Sequence, residues 1–213
     1  MNYLIIGTGG VGGCIAGFLS LAGRDVTCIA RGKHLEAIRR DGLHLKSDLK
    51  GEHYLPVKAY TTEDYVGQAD VIFVCVKGYS IGSIPEVIVK AAKPSTLVIP
   101  ILNVYGTGPR IGSLVPQVTV LDGCIYIVGF VSGEGEISQM GSIFRLVFGA
   151  RPEQGIARER LEAIADDLRA CARSRLFLLP RRTLPNKLMP TSQPILSLIL
   201  RTQDKIICAS RVI

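Results

Sequence analysis

The stretch Gly7-Thr8-Gly9-Gly10-Val11-Gly12 decides the fold of this chain, because its glycines have the spacing G-x-G-x-x-G. An apolar run at residues 3–6 precedes it, and an apolar helix is predicted over residues 11–21. In such a strand–turn–helix unit the first glycine permits a tight turn, the second lets the backbone approach a pyrophosphate, and the third lets helix and strand pack closely. The free N–H groups at the helix start favour an anion. The motif therefore predicts a dinucleotide site to which all six residues contribute.

Strand and helix patterns alternate beyond this stretch. Strands are predicted at residues 25–30, 43–46, 54–60, 71–76 and 97–102, and helices at residues 33–41, 83–92 and 152–172. The alternating pattern changes after residues 119–131. Continuous apolar strands separated by helices are typical of a parallel sheet that is covered on both faces. Gly133-Glu134-Gly135, between two strand-like segments, predicts a hairpin that closes the domain with antiparallel strands. We therefore expect an α/β fold over residues 1–170, with a Rossmann-type, doubly wound, mostly parallel sheet.

The end of the second predicted strand distinguishes between the two nicotinamide dinucleotides. NAD sites place Asp or Glu about 20 residues beyond the glycines, where the carboxylate accepts a hydrogen bond from the ribose 2′-OH. This chain has Ala30-Arg31-Gly32-Lys33 there, without an acid. A guanidinium pairs with a 2′-phosphate through two hydrogen bonds, and Lys33 adds positive charge. Arg31 therefore favours NADPH over NADH.

Charge and cysteine content argue against other classes of function. The formal net charge is +7, but residues 169–213 hold nine Lys and Arg against one acid, Asp204. The rest of the chain is close to neutral, so the basicity does not predict nucleic-acid binding. No segment suggests the ~18 apolar residues of a transmembrane helix. Six cysteines without metal-ligand spacing predict a reduced, cytoplasmic protein that binds no metal, with Cys28 and Cys75 as small core residues.

With the glycine fingerprint, Arg31, the strand end Val74-Cys75-Val76-Lys77 and Asn103 after the next strand, the chain resembles the ketopantoate reductase (2-dehydropantoate 2-reductase) family. The resemblance covers about residues 1–170. It implies a Rossmann N-terminal domain, an all-helical C-terminal domain and an active site between them. It also implies that NADPH reduces a 2-keto acid, ketopantoate, to pantoate on the route to coenzyme A. Lys77 and Asn103 match the family's lysine and asparagine near the nicotinamide and the substrate carbonyl, so Lys77 is expected to bind cofactor and Asn103 to serve both binding and catalysis.

The same resemblance implies that a lysine early in the helical domain protonates the carbonyl oxygen. Lys187 lies at a matching distance along the chain, between Pro185 and Pro190. Proline inside a helix removes a hydrogen bond, so the alternative is a tail lysine without a catalytic role. Composition, charge and proline content all change near residue 171. We therefore expect residues 171–213 to be a truncated or aberrant start of the helical substrate domain.

Two alternative functions stay open on the sequence alone. One is an NADP(H)-binding module without catalytic activity, because the second domain is incomplete. The other is a different β-hydroxyacid-type dehydrogenase that shares the first domain. The expected partner is a small 2-keto acid, with neither nucleic acid nor membrane, and a homodimer is left open as the oligomeric state.

Overall fold

The computed structural model describes residues 1–102, 106–171 and 177–178, and strands and helices alternate through them. The strands are β1 (Asn2–Ile6), β2 (Asp25–Ile29), β3 (Leu43–Ser47), β4 (Gly51–Leu55), β5 (Lys58–Tyr60), β6 (Ala69–Val74), β7 (Ala92–Pro100), β8 (Thr119–Val120), β9 (Asp122–Gly133), β10 (Glu136–Gly149) and β11 (Phe177–Leu178). The α-helices are α1 (Gly10–Leu21), α2 (Gly32–Asp41), α3 (Pro85–Ala91), α4 (Thr107–Leu114) and α5 (Arg158–Cys171). Short 3-10 helices cover Gly78–Ser83 and Pro152–Gln154.

Six strands form a parallel sheet in the order β5-β2-β1-β6-β7-β8. The chain winds outward from β1 to β2 and β5, and then crosses to β6 on the other side of β1. Such a reversal of strand order leaves a crevice beyond the carboxyl ends of the strands, which is where open α/β sheets bind their ligands. The predicted Rossmann-type α/β fold is confirmed.

Both faces of the parallel sheet are buried. Successive side chains of β1 point to opposite faces and belong to two different cores. Tyr3 and Ile5 belong to a core shared with α1, α2 and α5, whereas Leu4 and Ile6 belong to a second core shared with α3 and α4. All four side chains are at most 2% exposed. Full burial of one such apolar side chain stabilises the fold by about 1.5–3 kcal/mol, so the same strand holds the helical layers on both faces.

A second sheet packs against α1 and is separate from the parallel one. β9 and β10 form the predicted hairpin, but β10 also pairs in parallel with β3, which pairs with β4 in antiparallel fashion. The predicted strand at residues 54–60 divides at Pro56, so that β4 lies in the second sheet and β5 in the parallel one. The segment at residues 119–131 contains both β8, in the parallel sheet, and most of β9, in the second sheet. The prediction of one strand at residues 54–60 is wrong.

Glycines let α1 lie between the two sheets at short distance. A Cβ atom at Gly13 would stand 2.5 Å from the Ile137 side chain of β10, and one at Gly17 would stand 2.9 Å from Leu45 Cδ2 of β3. Larger side chains at these positions would push the second sheet away from the helix. The glycine content of α1 therefore serves the second sheet as well as the fingerprint loop.

Four cysteines of the described chain have free thiols: Cys14, Cys28, Cys75 and Cys124. Cys14 and Cys28 are buried, and burial raises the pKa of each thiol to about 12. Cys75 is half-buried, and burial raises the pKa of its thiol as well. These thiols are therefore protonated at neutral pH, and Cys28 is the small core residue that the sequence predicts.

Within residues 1–102, 106–171 and 177–178, no helix has both the length and the apolar character needed to cross a membrane. In the same part of the chain, no group of three or more His, Cys, Asp or Glu side chains is placed to hold a metal ion.

Candidate dinucleotide-binding site

The fingerprint loop joins the end of β1 to the start of α1. Gly7 has a φ of +94°, in the left-handed region that glycine adopts without strain, and a Cβ atom there would stand 3.1 Å from the Val76 nitrogen. Thr8 is buried, and both its N–H group and its hydroxyl donate to the Ile29 carbonyl oxygen, at 3.2 and 3.1 Å. The Thr8 side chain thus fastens the loop to the end of β2.

The remaining glycines of the loop differ in their surroundings. Gly9 is the N-cap residue of α1, and no atom lies within 4 Å of where its Cβ atom would stand. By contrast, a Cβ atom at Gly12 would lie 2.1 Å from the Gly7 carbonyl oxygen. One at Gly10 would lie 2.2 Å from the Gly129 carbonyl oxygen of β9, a contact that the motif does not predict. Gly10 and Gly12 are thus required for packing, while space is left open beside Gly9.

The first turn of α1 offers backbone donors to a ligand. The N–H groups of Gly10, Val11 and Gly12 precede the first hydrogen bond of the helix, which runs from the Gly13 N–H group to the Gly9 carbonyl oxygen. No side chain caps the helix start, and its first turn contains no acid. Unpaired N–H groups at the positive end of a helix dipole stabilise an anion. The open space at Gly9 and these donors fit the diphosphate of a dinucleotide.

Arg31, the predicted 2′-phosphate contact, lies at the neighbouring strand end. It is the N-cap residue of α2, and its side chain is exposed. The Ile29 carbonyl oxygen that binds Thr8 is two residues earlier, so Arg31 and the fingerprint loop are joined through the end of β2. Among the residues that the structure describes, no carboxylate forms an ion pair with Arg31. Its guanidinium is therefore available to an anionic ligand.

Lys77 stands at the same edge of the sheet, beyond β6. It is exposed and immediately precedes the 3-10 helix Gly78–Ser83. Val76 beside it lines the turn at Gly7. The structure thus brings the glycine loop, Arg31 and Lys77 to the carboxyl ends of three adjacent strands. Asn103 and Lys187 lie outside the described residues, and their roles stay predictions.

The turn of the β9–β10 hairpin also reaches this region. The Gly135 N–H group donates to His34 Nδ1 at 3.0 Å, and Lys33 Nζ lies 3.7 Å from Glu134 Oε1. This contact is not predictable from the sequence, because the residues of a turn and of a distant helix start carry no signal of their pairing. The only local signal is the hairpin turn itself.

The fold and the glycine loop are those of a Rossmann-type domain. Residues 3–153 match the sequence model of the family described as "Ketopantoate reductase PanE/ApbA". The chain belongs to this family, and the resemblance to it is confirmed. Members of the family are oxidoreductases that bind a nicotinamide cofactor.

Individual relatives agree with this assignment. An uncharacterized oxidoreductase of Bacillus subtilis (strain 168) is 32% identical over 166 residues, which is 78% of this chain and 54% of the relative. A 2-dehydropantoate 2-reductase of Nostoc sp. is 29% identical over 140 residues, 65% of this chain and 43% of the relative. The crystal structure of 2-dehydropantoate 2-reductase from Porphyromonas gingivalis W83 superposes with a TM-score of 0.71 at 26% identity, covering 83% of this chain and 63% of that one. The chain spans about half the length of the curated relatives that it matches.

Alanine substitutions at Gly9 and Gly12 distinguish a glycine that is needed for ligand binding from one that is needed for packing. Gly12→Ala is expected to lower the free energy of unfolding by about 3 kcal/mol, because its methyl group overlaps the Gly7 carbonyl oxygen. Gly9→Ala is expected to change that free energy by less than about 1 kcal/mol. It should nevertheless weaken binding of NADPH, because the methyl group fills the open space. Urea unfolding and titration of NADPH fluorescence measure the two effects, and equal stability of the two variants would contradict the assigned packing role of Gly12.

Proposed function

We propose that this chain is the cofactor-binding part of an NADPH-dependent 2-keto acid reductase that converts ketopantoate to pantoate. The observation that carries the proposal is the placement of the open Gly9 turn, Arg31 and Lys77 at one edge of the parallel sheet. Membership of the family supports the reaction class. The buried, unpaired cysteines support a cytoplasmic location, where thiols stay reduced.

Backbone and side chains would divide the binding of the cofactor between them. The N–H groups at the start of α1 would hold the diphosphate, as helix N-termini do for phosphates generally. Arg31 would bind the 2′-phosphate, which carries a charge of about −1.5 to −2 near neutral pH and accepts two hydrogen bonds from a guanidinium. NADH lacks that phosphate, so Arg31 would strengthen the binding of NADPH alone.

When bound, the nicotinamide supplies the hydride that reduces the substrate carbonyl. The charge that develops on the carbonyl oxygen needs a cationic or hydrogen-bonding partner and a proton donor. Lys77, exposed beyond β6, would place an ammonium group near the nicotinamide end of the crevice. By resemblance, Asn103 would help to orient the carbonyl, and Lys187 would protonate its oxygen. We further propose that residues 171–213 begin the helical region that completes the substrate site.

A binding module without catalysis is the second candidate. In this proposal the open Gly9 turn, Arg31 and Lys77 hold the dinucleotide without a reaction. The described residues around them form a dinucleotide site at the carboxyl edge of the parallel sheet. Binding of NADPH without turnover would therefore point to this function.

The reductase proposal is tested by following NADPH oxidation with ketopantoate. We expect oxidation that depends on ketopantoate, and a loss of about 100-fold or more in kcat/KM in Lys77→Met, the scale of losing one stabilising group at a developing charge. Lys58→Met is the matched control and should keep its activity. Lys58 lies at the start of β5, at the edge of the sheet opposite to Lys77, and is paired with Asp25. A chain that binds NADPH but never oxidises it with ketopantoate would contradict catalysis and favour the binding module.

The cofactor assignment is tested by comparing NADPH and NADH affinities in wild type and Arg31→Ala. The variant is expected to bind NADPH about ten- to a hundredfold more weakly, the scale of hydrogen bonds to a charged group, and NADH equally well. Arg40→Ala removes a cation from the same helix that is already paired with Asp41, and should alter neither affinity. A wild type without preference, or an Arg31→Ala variant that loses none, would overturn the assignment to NADPH.

A further inference from the structure

We propose that Glu134, in the turn of the β9–β10 hairpin, limits the preference for NADPH by competing with the 2′-phosphate for Lys33. The inference rests on the proposed function and identifies a specificity-determining residue outside the glycine fingerprint. Its basis is the ion pair between Lys33 Nζ and Glu134 Oε1, which are 3.7 Å apart. Lys33 follows Arg31 by two residues.

The hairpin turn is held in place beside α2 by its backbone. The Gly135 N–H group donates to His34 Nδ1 at 3.0 Å, and the Gly135 carbonyl oxygen accepts from the His44 N–H group at 2.9 Å. Gly135 has a φ of +74°, and a Cβ atom there would stand 2.9 Å from Ala37 Cβ. Both backbone polar groups of Gly135 are thus used, and the turn packs directly on the helix. Glu134 directly precedes Gly135, and its carboxylate lies beside Lys33 at the start of α2.

The other acid beside the turn is already engaged elsewhere. Glu136 accepts hydrogen bonds from Lys46 Nζ at 2.8 Å and from the Ser132 hydroxyl at 2.7 Å. These contacts hold the Glu136 carboxylate on the second sheet. Glu134 is therefore the acid of the hairpin that bears on the cationic start of α2.

The Lys33–Glu134 pair is weak enough to be replaced by a ligand. The side chains are 81% and 62% exposed, and ion pairs of such exposure contribute little because water and salt screen them. A phosphate monoester carries a larger charge than a carboxylate and offers three acceptor oxygens. The 2′-phosphate can therefore replace Glu134 as the partner of Lys33. It then lies near the unpaired Glu134 carboxylate, which repels it.

The consequence differs between the two cofactors. NADPH must break the Lys33–Glu134 pair to gain Lys33, whereas NADH has no 2′-phosphate and leaves the pair intact. The carboxylate thus reduces affinity for NADPH selectively. In the described part of the chain, no acid pairs with Arg31 in the same way. Arg31 therefore makes NADPH bind more tightly than NADH, and Glu134 determines by how much.

Glu134→Gln tests the inference with little risk to the fold, because the side chain is exposed and Gly135 makes the structural contacts. Titration of the full chain is expected to show a two- to fivefold lower Kd for NADPH, roughly the range of an exposed ion pair. The Kd for NADH should not change. Asp41→Asn removes the same charge from the far end of α2 and should leave both Kd values unchanged.

A second pair of variants isolates the role of Lys33. In a Lys33→Gln background, Glu134→Gln is expected to lose most of its gain in NADPH affinity. The inference is overturned if Glu134→Gln does not tighten NADPH binding, if the full gain persists with Lys33→Gln, or if Asp41→Asn produces the same gain. Failure of the proposed function looks different: wild type then binds neither dinucleotide, or Arg31→Ala leaves the NADPH affinity unchanged.

Discussion

Close backbone packing of α1 against β1 is the constraint on which the rest of the structure depends. At Gly12 the helix approaches so near that a single methyl group would stand 2.1 Å from the Gly7 carbonyl oxygen. This contact fixes the start of α1 next to the carboxyl end of β1. Because the donors of the first helical turn are the candidate anion site, their position follows directly from that packing. A helix displaced to admit a larger residue would carry these donors away from the neighbouring strand ends.

The same helix positions the second sheet. Gly10, Gly13 and Gly17 bring β9, β10 and β3 against its opposite side. Packing at this distance places the β9–β10 turn on α2, where Glu134 meets Lys33. The second sheet therefore contributes to the candidate site, although none of its residues belongs to the fingerprint.

The electrostatics of the candidate site follow from where the charges lie. Arg31, Lys33 and Lys77 are exposed at the carboxyl edge of the parallel sheet, and the first turn of α1 contains no acid. An anionic ligand thus meets three cations and the positive end of a helix. Glu134 opposes this field at one point, beside Lys33. A single carboxylate supplied from a distant segment is a simple way to adjust a preference between two ligands that differ by one phosphate.

Local patterns in the sequence were sufficient for the parallel sheet and for part of the site. Glycine spacing and apolar periodicity predicted β1, α1 and a mostly parallel sheet, and the residues at the strand ends indicated Arg31 and Lys77 as candidate ligand contacts. The pairing of β10 with β3 was not predictable, because it joins Glu136 to His44 across most of the first domain without a local signal. For the same reason the Gly10–Gly129 and Lys33–Glu134 contacts were missed. The roles of Asn103 and Lys187 are predicted from family resemblance alone, because both residues lie outside the described part of the chain.

A crystal structure of the chain with NADPH bound is the measurement that tests the dinucleotide site most directly. The diphosphate should lie at the N–H groups of Gly10, Val11 and Gly12, beside the open space at Gly9. The 2′-phosphate should lie within hydrogen-bonding distance of the Arg31 guanidinium. A cofactor bound away from the start of α1, or a 2′-phosphate directed away from Arg31, would contradict the assignment.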